Sequence, residues 1–221
     1  MTKALVLHSG GIDSSTCLAV AIRDYDEVLS LSINYGQRHS REVFAAAAVA
    51  SHFGVKHEIL ELPTIENSML TDESREIPNI SYDDIEGISP TYVPFRNGLL
   101  LSNVASIAQA REFDAIFFGA HSEDAYNWAY PDCTPEFIGA MANAIFIGTY
   151  QKVRLITPLE WLGKADIIKL GTELNVPWQF TWSCYKGEEQ HCGQCPTCRA
   201  RHQGFVDAGI EDPTNYAELG V

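Results

Sequence analysis

The first 25 residues contain an apolar run, two glycines and an amphipathic stretch, in that order. This order constrains the fold more than any other feature of the chain. The run "KALVLHS" at residues 3–9 predicts a buried strand, and "DSSTCLAVAIRDY" at 13–25 predicts a helix. Two adjacent glycines permit the tight turn that joins them. In an α/β sheet this turn lies at the carboxyl end of the first strand, where such sheets bind their ligands.

The same alternation continues along the chain. Further strands are predicted at residues 27–35, 56–62, 114–120 and 153–159, and further helices at 40–54, 95–113, 134–148 and 163–174. Thr134 followed by Pro135 is typical of a helix start, and Gly54 of a helix end. Residues 62–93 lack periodicity and predict a long loop. We therefore expect an α/β fold with a mostly parallel, five-stranded, doubly wound sheet that carries helices on both faces.

The charge of the chain limits its partners. With 15 Lys and Arg against 29 Asp and Glu, the formal net charge is −14, and no basic run is present. Proteins that bind nucleic acid directly usually present a basic face to the phosphates, so we expect small-molecule ligands and no direct binding of nucleic acid. No apolar segment reaches the ~18 residues that a membrane helix needs. The N-terminal apolar run is also too short for a signal peptide, so we expect a cytoplasmic protein.

The turn sequence "SGGIDSS" at residues 9–15 has the composition of an anion site. Its amides and the start of the following helix can converge on a phosphate, although an ordinary βα turn is the simpler alternative. The sequence matches neither the dinucleotide fingerprint G-x-G-x-x-G nor the Walker pattern, which requires a lysine after its last glycine. Asp13 repels phosphate unless a divalent cation such as Mg²⁺ joins the two. This combination suits pyrophosphate as the leaving group of ATP, with attack at the α-phosphorus.

Four of the six cysteines lie close together near the C-terminus, with the spacing C-x7-C-x2-C-x2-C: Cys184, Cys192, Cys195 and Cys198. In a reducing compartment, such clustering indicates metal binding or catalysis more often than disulfides. Four thiolates form a closed tetrahedral site of the structural Zn²⁺ type, while an iron–sulfur cluster and redox thiols are the alternatives. We expect residues 181–221 to form a small zinc-binding tail on an α/β domain of residues 1–180.

The glycine turn matches the SGGxDS pattern and resembles the pyrophosphate loop of the N-type ATP pyrophosphatases. Four further stretches narrow the resemblance: "NYGQRHSREV" after the second strand, "TYVPFRN" before the long helix, "YPDC" after the fourth strand, and "CGQCPTC" near the end. Together they resemble the 7-cyano-7-deazaguanine synthase family of queuosine biosynthesis. The resemblance runs from Ser9 to Cys198 and implies an adenine nucleotide alpha hydrolase-like fold.

The resemblance also implies a reaction. ATP activates the carboxylate of 7-carboxy-7-deazaguanine as an acyl-adenylate, and ammonia attacks to give an amide. A second ATP activates the amide oxygen, and loss of AMP leaves the nitrile. A chain of 221 residues leaves no room for a glutaminase domain, so free ammonia is the expected nitrogen source. We also expect a homodimer.

The family motifs assign roles to individual residues of this chain. Asp13 is expected to hold Mg²⁺, with Lys164 and Arg96 as cations near the phosphates or the adenylate. A solvated lysine and a surface ion pair are the simpler alternatives for those two cations. The expected ATP-binding residues are His8, Ser9, Gly10, Gly11, Ile12, Asp13, Ser14, Ser15, Thr16, Cys17 and Leu18, although Cys17 also fits the apolar pattern of its helix. The expected substrate-binding residues are Tyr35, Gln37, Arg38, Tyr130 and Asp132, the last of which is also a common turn residue.

Three positions depart from the family pattern, all on the expected substrate side. Phe95 replaces the usual glycine of "VPGRN", Thr134 stands where arginine usually follows "YPDC", and Trp128 lies in a segment that is longer than usual. Two other functions therefore stay open. One is an ATP-dependent amide synthetase that acts on a related deazapurine. The other is a tRNA-thiolating enzyme that uses its cysteines for sulfur transfer.

Overall fold

Five parallel strands form the sheet, and β1 lies at its centre. The computed structural model describes the chain except for residues 38–40, 67, 73, 81–86, 122, 124–129, 188, 220 and 221. In it, the order of the strands is β3-β2-β1-β4-β5. The strands are β1 Lys3–Leu7, β2 Glu27–Asn34, β3 Lys56–Glu61, β4 Ala115–Phe117 and β5 Arg154–Ile156. Every adjacent pair is parallel, which confirms the predicted α/β sheet.

Helices cover both faces of this sheet. They are α1 Ile12–Asp24, α2 Arg41–His52, α3 Arg96–Ala110, α4 Pro135–Gly148, α5 Lys164–Glu173 and α6 Pro196–Ala208. One core lies between the sheet and α3 and α4, and Leu5, Leu29 and Ile116 contribute to it. The other lies between the sheet and the α1, α2, α5 and α6 side, and Val6 and Phe117 contribute to it. Neighbouring residues of one strand thus face opposite cores, as the pleat requires.

The order of the strands creates a switch point beside β1. The chain runs outward from β1 to β2 and β3, and then crosses to the other side of β1 for β4 and β5. The connections from β1 and from β4 therefore leave the sheet in opposite directions and open a crevice between them. At the edge of this crevice a Cβ on Gly119 would lie 3.1 Å from the backbone carbon of Asp13, so the two connections are in contact.

Several predicted boundaries hold closely. Thr134 is the N-cap of α4, and its Oγ1 accepts a hydrogen bond from the Phe137 amide at 3.2 Å. Gly54, just beyond α2, has φ of +67°. Between β3 and α3, the described residues form no helix or strand, as predicted for the loop at 62–93, although Leu70, Ile77 and Val93 are buried in the core.

One helix was not predicted. Residues Pro196–Ala208 form α6, which was expected only as part of a tail. Its start at Pro196 and its end before Gly209, with φ of +69°, carry ordinary helix signals. Phe205 of α6 packs edge-on against Trp178, so α6 shares the core of the α/β domain. None of the helices in the described ranges is long and apolar enough to cross a bilayer.

Candidate active site

The connection between β1 and α1, residues 9–15, is called the glycine loop below. Gly10 has φ of +83°, a conformation that glycine adopts without steric cost. A Cβ on Gly10 would lie 2.5 Å from the Ala46 amide nitrogen and 2.7 Å from the Glu42 carbonyl oxygen. The loop therefore presses against the first turns of α2, and a side chain at Gly10 would force the two apart.

The start of α1 is left open toward the crevice. Gly11 is the N-cap residue and caps the helix with no side chain. The amides of the first turn lack helical acceptors and, with the helix dipole, favour an anion. Ser14 Oγ accepts a hydrogen bond from the Ser9 amide at 3.2 Å and lies 3.0 Å from Ser9 Oγ, which fixes the shape of the loop. The loop thus has the geometry of a phosphate site.

Four of the expected ATP-binding side chains lie beneath the loop. His8 is fully buried, with Nε2 3.1 Å from Ser15 Oγ and Nδ1 2.9 Å from Ser30 Oγ. Burial lowers the pKa of His8 to about 3, so its ring is neutral at pH 7. The side chains of Thr16, Cys17 and Leu18 are fully buried in α1. These four positions can support the loop. Of the expected ATP-binding residues, those that line the crevice are His8, Ser9, Gly11, Ile12, Asp13 and Ser14.

A charged cluster stands beside the loop. Lys164, the first residue of α5, donates to Asp13 Oδ1 at 2.7 Å, and His121 Nε2 lies 3.1 Å from Lys164 Nζ. The sequence thus supplies from α5 the lysine that the loop itself lacks. Burial raises the pKa of the Asp13 carboxyl, but the charges of Lys164 and His121 outweigh it and hold that pKa below its usual range. Glu123 Oε2 accepts from the Lys164 amide at 3.0 Å and fixes the start of α5.

The crevice between these elements is a cleft of about 1340 Å³. Ligand pockets of drug size usually hold roughly 300–1,000 Å³, so this cleft has room for a nucleotide and a second substrate together. Its walls extend from the glycine loop and Lys164 to Arg96 and Tyr35 on the opposite side.

Arg96 and Tyr35 form a pair on that opposite side. Arg96 begins α3, and its guanidinium carbon lies 5.9 Å from the centre of the Tyr35 ring, with Nη1 3.4 Å from the Tyr35 hydroxyl. Gln37 also lines the cleft, and its Oε1 accepts from the Tyr35 amide at 2.9 Å. The structure therefore brings these three predicted residues together. Arg38 lies outside the described residues.

The two predicted substrate residues of "YPDC" differ in accessibility. Tyr130 lines the cleft, and its hydroxyl lies 2.6 Å from Thr91 Oγ1. Asp132 is buried, and its Oδ2 accepts from the Asn97 amide at 2.9 Å in the first turn of α3. Asp132 thus caps a helix and lines a small neighbouring cavity rather than the main cleft.

The four clustered cysteines, called the cysteine cluster below, come together as predicted. All four are buried, and their sulfur atoms lie within 4.8 Å of one another. Zn–S bonds of about 2.3 Å place tetrahedral sulfurs about 3.8 Å apart, and Cys192 Sγ lies 3.9 Å from Cys198 Sγ. Hydrogen bonds from the Cys184 and Cys198 thiols hold the pKa of Cys195 well below its usual range. The donor set therefore fits a metal ion.

Trp182 connects the cysteine cluster to the glycine loop. Its amide donates to the Gly10 carbonyl oxygen at 2.9 Å, and its indole Nε1 donates to the Cys184 carbonyl oxygen at 2.9 Å. Its ring lies 4.2 Å from the His191 ring, next to Cys192. A single side chain and its backbone thus touch both sites.

Comparison with known proteins identifies the family. A family model described as "Queuosine biosynthesis protein QueC" matches residues 3–209. The chain belongs to the QueC family. The 7-cyano-7-deazaguanine synthases of Thermoplasma volcanium and Thermoplasma acidophilum are 45% and 46% identical to it, over 98% and 97% of this chain and 91% and 92% of the relatives. The resemblance inferred from the sequence motifs is therefore confirmed.

Solved structures share the fold of this QueC-family chain. The U34-tRNA thiolase NcsA from Methanococcus maripaludis superposes with a TM-score of 0.51 at 16% identity, over 80% of this chain and 58% of that one. A predicted subunit of a tRNA methyltransferase from Methanocaldococcus jannaschii superposes with a TM-score of 0.53 at 20% identity, over 78% and 75% of the two chains. At these identities the likeness concerns the architecture alone.

Two departures from the QueC-family pattern have structural explanations. Phe95 adopts φ of 51° and ψ of 28°, the left-handed conformation that the usual glycine favours, and its ring covers Gly98 and meets Phe137 edge-on. Thr134 is buried and caps α4, a role that arginine does not fill. Trp128 lies outside the described residues.

Four residues of the site were not predicted from the sequence. Trp182 belongs to no motif and is marked only by its position two residues before Cys184. His121 and Glu123 follow β4, at the same sheet edge as the glycine loop, and this placement could have indicated them. Glu42 lies within the quoted stretch "NYGQRHSREV" and lines the cleft from α2. His191 receives a hydrogen bond from the Ser183 amide at 3.1 Å.

Proposed function

We propose that this chain converts 7-carboxy-7-deazaguanine and ammonia into 7-cyano-7-deazaguanine, with ATP cleaved to AMP and pyrophosphate. The observation that carries the proposal is the near full-length match to 7-cyano-7-deazaguanine synthases in a chain that keeps an open glycine loop beside Asp13 and Lys164. The ATP-dependent formation of a C–N bond follows from this proposal.

The phosphate end of the cleft favours pyrophosphate as the leaving group. The amides at the start of α1 and the ammonium group of Lys164 converge on the anion that forms when the α–β bond of ATP breaks. Asp13 would hold Mg²⁺, because magnesium at phosphates commonly takes only one or two protein carboxylates. Mg²⁺ bound there supplies positive charge to the phosphates. No protein nucleophile is needed, so catalysis rests on positioning and charge.

The other end of the cleft suits the deazapurine. Arg96 can pair with the substrate carboxylate, since a guanidinium matches a carboxylate in a bidentate geometry. Tyr35, Gln37 and Tyr130 offer hydroxyl and amide groups around the ring. Asp132 lies in the neighbouring cavity, which Arg96 also lines, so we propose that it affects the ring indirectly, through Arg96. This arrangement directs the carboxylate toward the glycine loop across the cleft.

The reaction then proceeds through two activations. A carboxylate oxygen attacks the α-phosphorus, and pyrophosphate leaves. Ammonia attacks the acyl carbon, and the C–O bond breaks with its electron pair leaving on AMP. The amide oxygen attacks the α-phosphorus of a second ATP, and pyrophosphate leaves. The nitrogen then gives both of its protons to water as the C–O bond breaks with its electron pair leaving on AMP, which leaves the C≡N bond.

We propose Zn²⁺ as the ion of the cysteine cluster, with a structural role. The four buried sulfurs leave no open position for a substrate. An iron–sulfur cluster is the alternative for the same ligands. Elemental analysis and absorbance spectroscopy of an anaerobic preparation distinguish them. A zinc site predicts about one Zn per chain and no visible charge-transfer band. Bound iron together with such a band would contradict it.

We further propose that the protein is a cytoplasmic homodimer that takes free ammonia and does not bind nucleic acid directly. All six cysteines lack disulfide bonds, which suits a reducing compartment. The exposed face of α4 is almost free of charge and shows Ile147, with the exposed Tyr150 in the turn that follows, while the chain as a whole carries −14. Ile147→Glu is expected to halve the mass of the native species by light scattering.

The activity is tested by incubation with ATP, Mg²⁺, ammonium and 7-carboxy-7-deazaguanine, followed by mass spectrometry of the products. The nitrile is the expected product. A stable amide without nitrile would instead identify an amide synthetase. Sulfur incorporation into tRNA with no deazapurine product would identify a thiolating enzyme.

A further inference from the structure

Glu42 occupies a distinctive place in the cleft. It is the second residue of α2, and its backbone carbonyl oxygen is one of the atoms that press on Gly10 of the glycine loop. Its side chain lines the cleft on the side of Tyr35 and Arg96. The carboxyl group therefore lies between the phosphate end and the deazapurine end, where the acyl carbon of an adenylate must lie.

Among the described residues, the carboxyl group of Glu42 takes part in no hydrogen bond or ion pair that would stabilise the fold. Within the described ranges, no backbone or side-chain group donates a hydrogen bond to it, and no cation lies within 4.0 Å. The charged and titratable groups that act on it are Arg96 and Tyr35. Burial raises the pKa of Glu42 to about 7, although Arg96 lowers it. A polar group in such a position is free to bind a ligand.

The reaction needs a group of this kind. The nitrogen source is predominantly ammonium at neutral pH, and ammonium has no lone pair with which to attack carbon. A carboxylate attracts ammonium by its charge and accepts its N–H bonds. A pKa close to the working pH is also what a general base requires.

We propose that Glu42 is the ammonium-binding residue of this cleft and the base that converts ammonium into ammonia. This inference rests on the proposed function. One proton passes from ammonium to the Glu42 carboxylate. The freed lone pair forms the C–N bond as the C–O bond to AMP breaks, and the attacking nitrogen gives its second proton to water.

The test separates three partial reactions in wild type, Glu42→Gln and Glu42→Asp. These are ATP–pyrophosphate exchange with the acid alone, amide formation with ammonium, and nitrile formation from the amide without ammonium. In Glu42→Gln we expect the KM for ammonium to rise about 10- to 100-fold, the usual cost of losing a charged hydrogen bond. Exchange and amide dehydration should stay within about threefold. Glu42→Asp should recover part of the loss.

Two further readouts distinguish a chemical role from a structural one. Wild-type amidation should show an inflection near pH 7, as Glu42 ionises, whereas in Glu42→Gln only the steady rise that follows the concentration of free ammonia should remain. Glu136→Gln is a matched control, because Glu136 is the second residue of α4 and is exposed. Equal losses in all three partial reactions, or no loss in any, would overturn the proposal for Glu42. Wild-type protein that makes neither amide nor nitrile would instead overturn the proposed function.

Discussion

The glycine loop and the cysteine cluster lie at the starts of two helices, α1 and α6, and they are built in opposite ways. The loop is made by its main chain, with Gly10 in a positive φ conformation and open amides facing a cleft. The cluster is made by its side chains, which are buried and whose sulfur atoms lie within 4.8 Å of one another, so that they could hold a metal ion. A side chain of the loop can therefore change with little effect on the fold, whereas a ligand of the cluster cannot.

The contact through Trp182 qualifies this contrast. Because Trp182 bonds to Gly10 and to the Cys184 carbonyl, the cluster supports one wall of the loop. Loss of the metal should thus weaken nucleotide binding as well as stability. Loss of charge in the loop should leave the metal in place.

The largest effect is expected from Cys195→Ser. Metal binding supplies folding free energy in such sites, so we expect the metal to be lost and the Tm to fall by about 10 °C or more. Elemental analysis and thermal unfolding measure both quantities. Cys17→Ala removes a buried thiol outside the cluster and should keep the metal. Full metal content and an unchanged Tm in Cys195→Ser would show that the cluster is not a metal site.

Asp13→Asn should show the reverse pattern. We expect AMP formation to fall about 100- to 1,000-fold, because the proposed magnesium ligand is lost. The metal content and the Tm should change little. Asp24→Asn, at an exposed carboxylate of the same helix, is the control. Turnover within a few-fold of wild type would mean that the loop assignment is wrong.

Trp182→Leu tests the connection between the two regions. We expect the KM for ATP to rise about tenfold, since the indole hydrogen bond to the Cys184 carbonyl and the ring contact with His191, which hold the Trp182 backbone against Gly10, are removed. The bound metal should remain at its wild-type level. Trp161→Leu changes an exposed tryptophan and serves as the control. An unchanged KM for ATP would indicate that the loop holds its shape without the cluster.

The smallest effect concerns pH and His8 beneath the loop. In the unfolded chain His8 titrates near its usual value of about 6.5, whereas burial lowers the folded pKa to about 3. The unfolded state thus binds the extra proton between these values, so the free energy of unfolding rises with pH up to about 6.5 and falls on acidification. In His8→Asn this part of the slope, at most about 1.4 kcal/mol per pH unit, should disappear from denaturant titrations. An equal slope in both proteins would contradict a buried neutral His8.

The sequence predicted the backbone of the molecule well, because periodicity and glycine placement report local structure. The five parallel strands, the glycine loop and the four cysteines all follow from such patterns. The helix α6 was not predicted, although Pro196 and Gly209 carry ordinary helix signals, because the interpretation of this stretch rested on its cysteines.

The side-chain geometry of the cleft was less predictable. Whether Asp132 faces a ligand or caps α3 depends on how two distant segments meet, and no local pattern encodes that meeting. The same holds for the Lys164 contact with Asp13, which spans 151 residues. Glu42 lies in the stretch "NYGQRHSREV", but its position near Arg96 depends on how α2 and α3 pack, which the sequence of neither helix predicts.

The central claim is that one cleft activates first the acid and then the amide. It is tested most directly by the ratio of AMP to nitrile during complete conversion of 7-carboxy-7-deazaguanine, measured together with conversion of the amide supplied alone. We predict two AMP for each nitrile from the acid, and one AMP for each nitrile from the amide without ammonium. One AMP for each acid, with the amide bound but never converted, would contradict the claim.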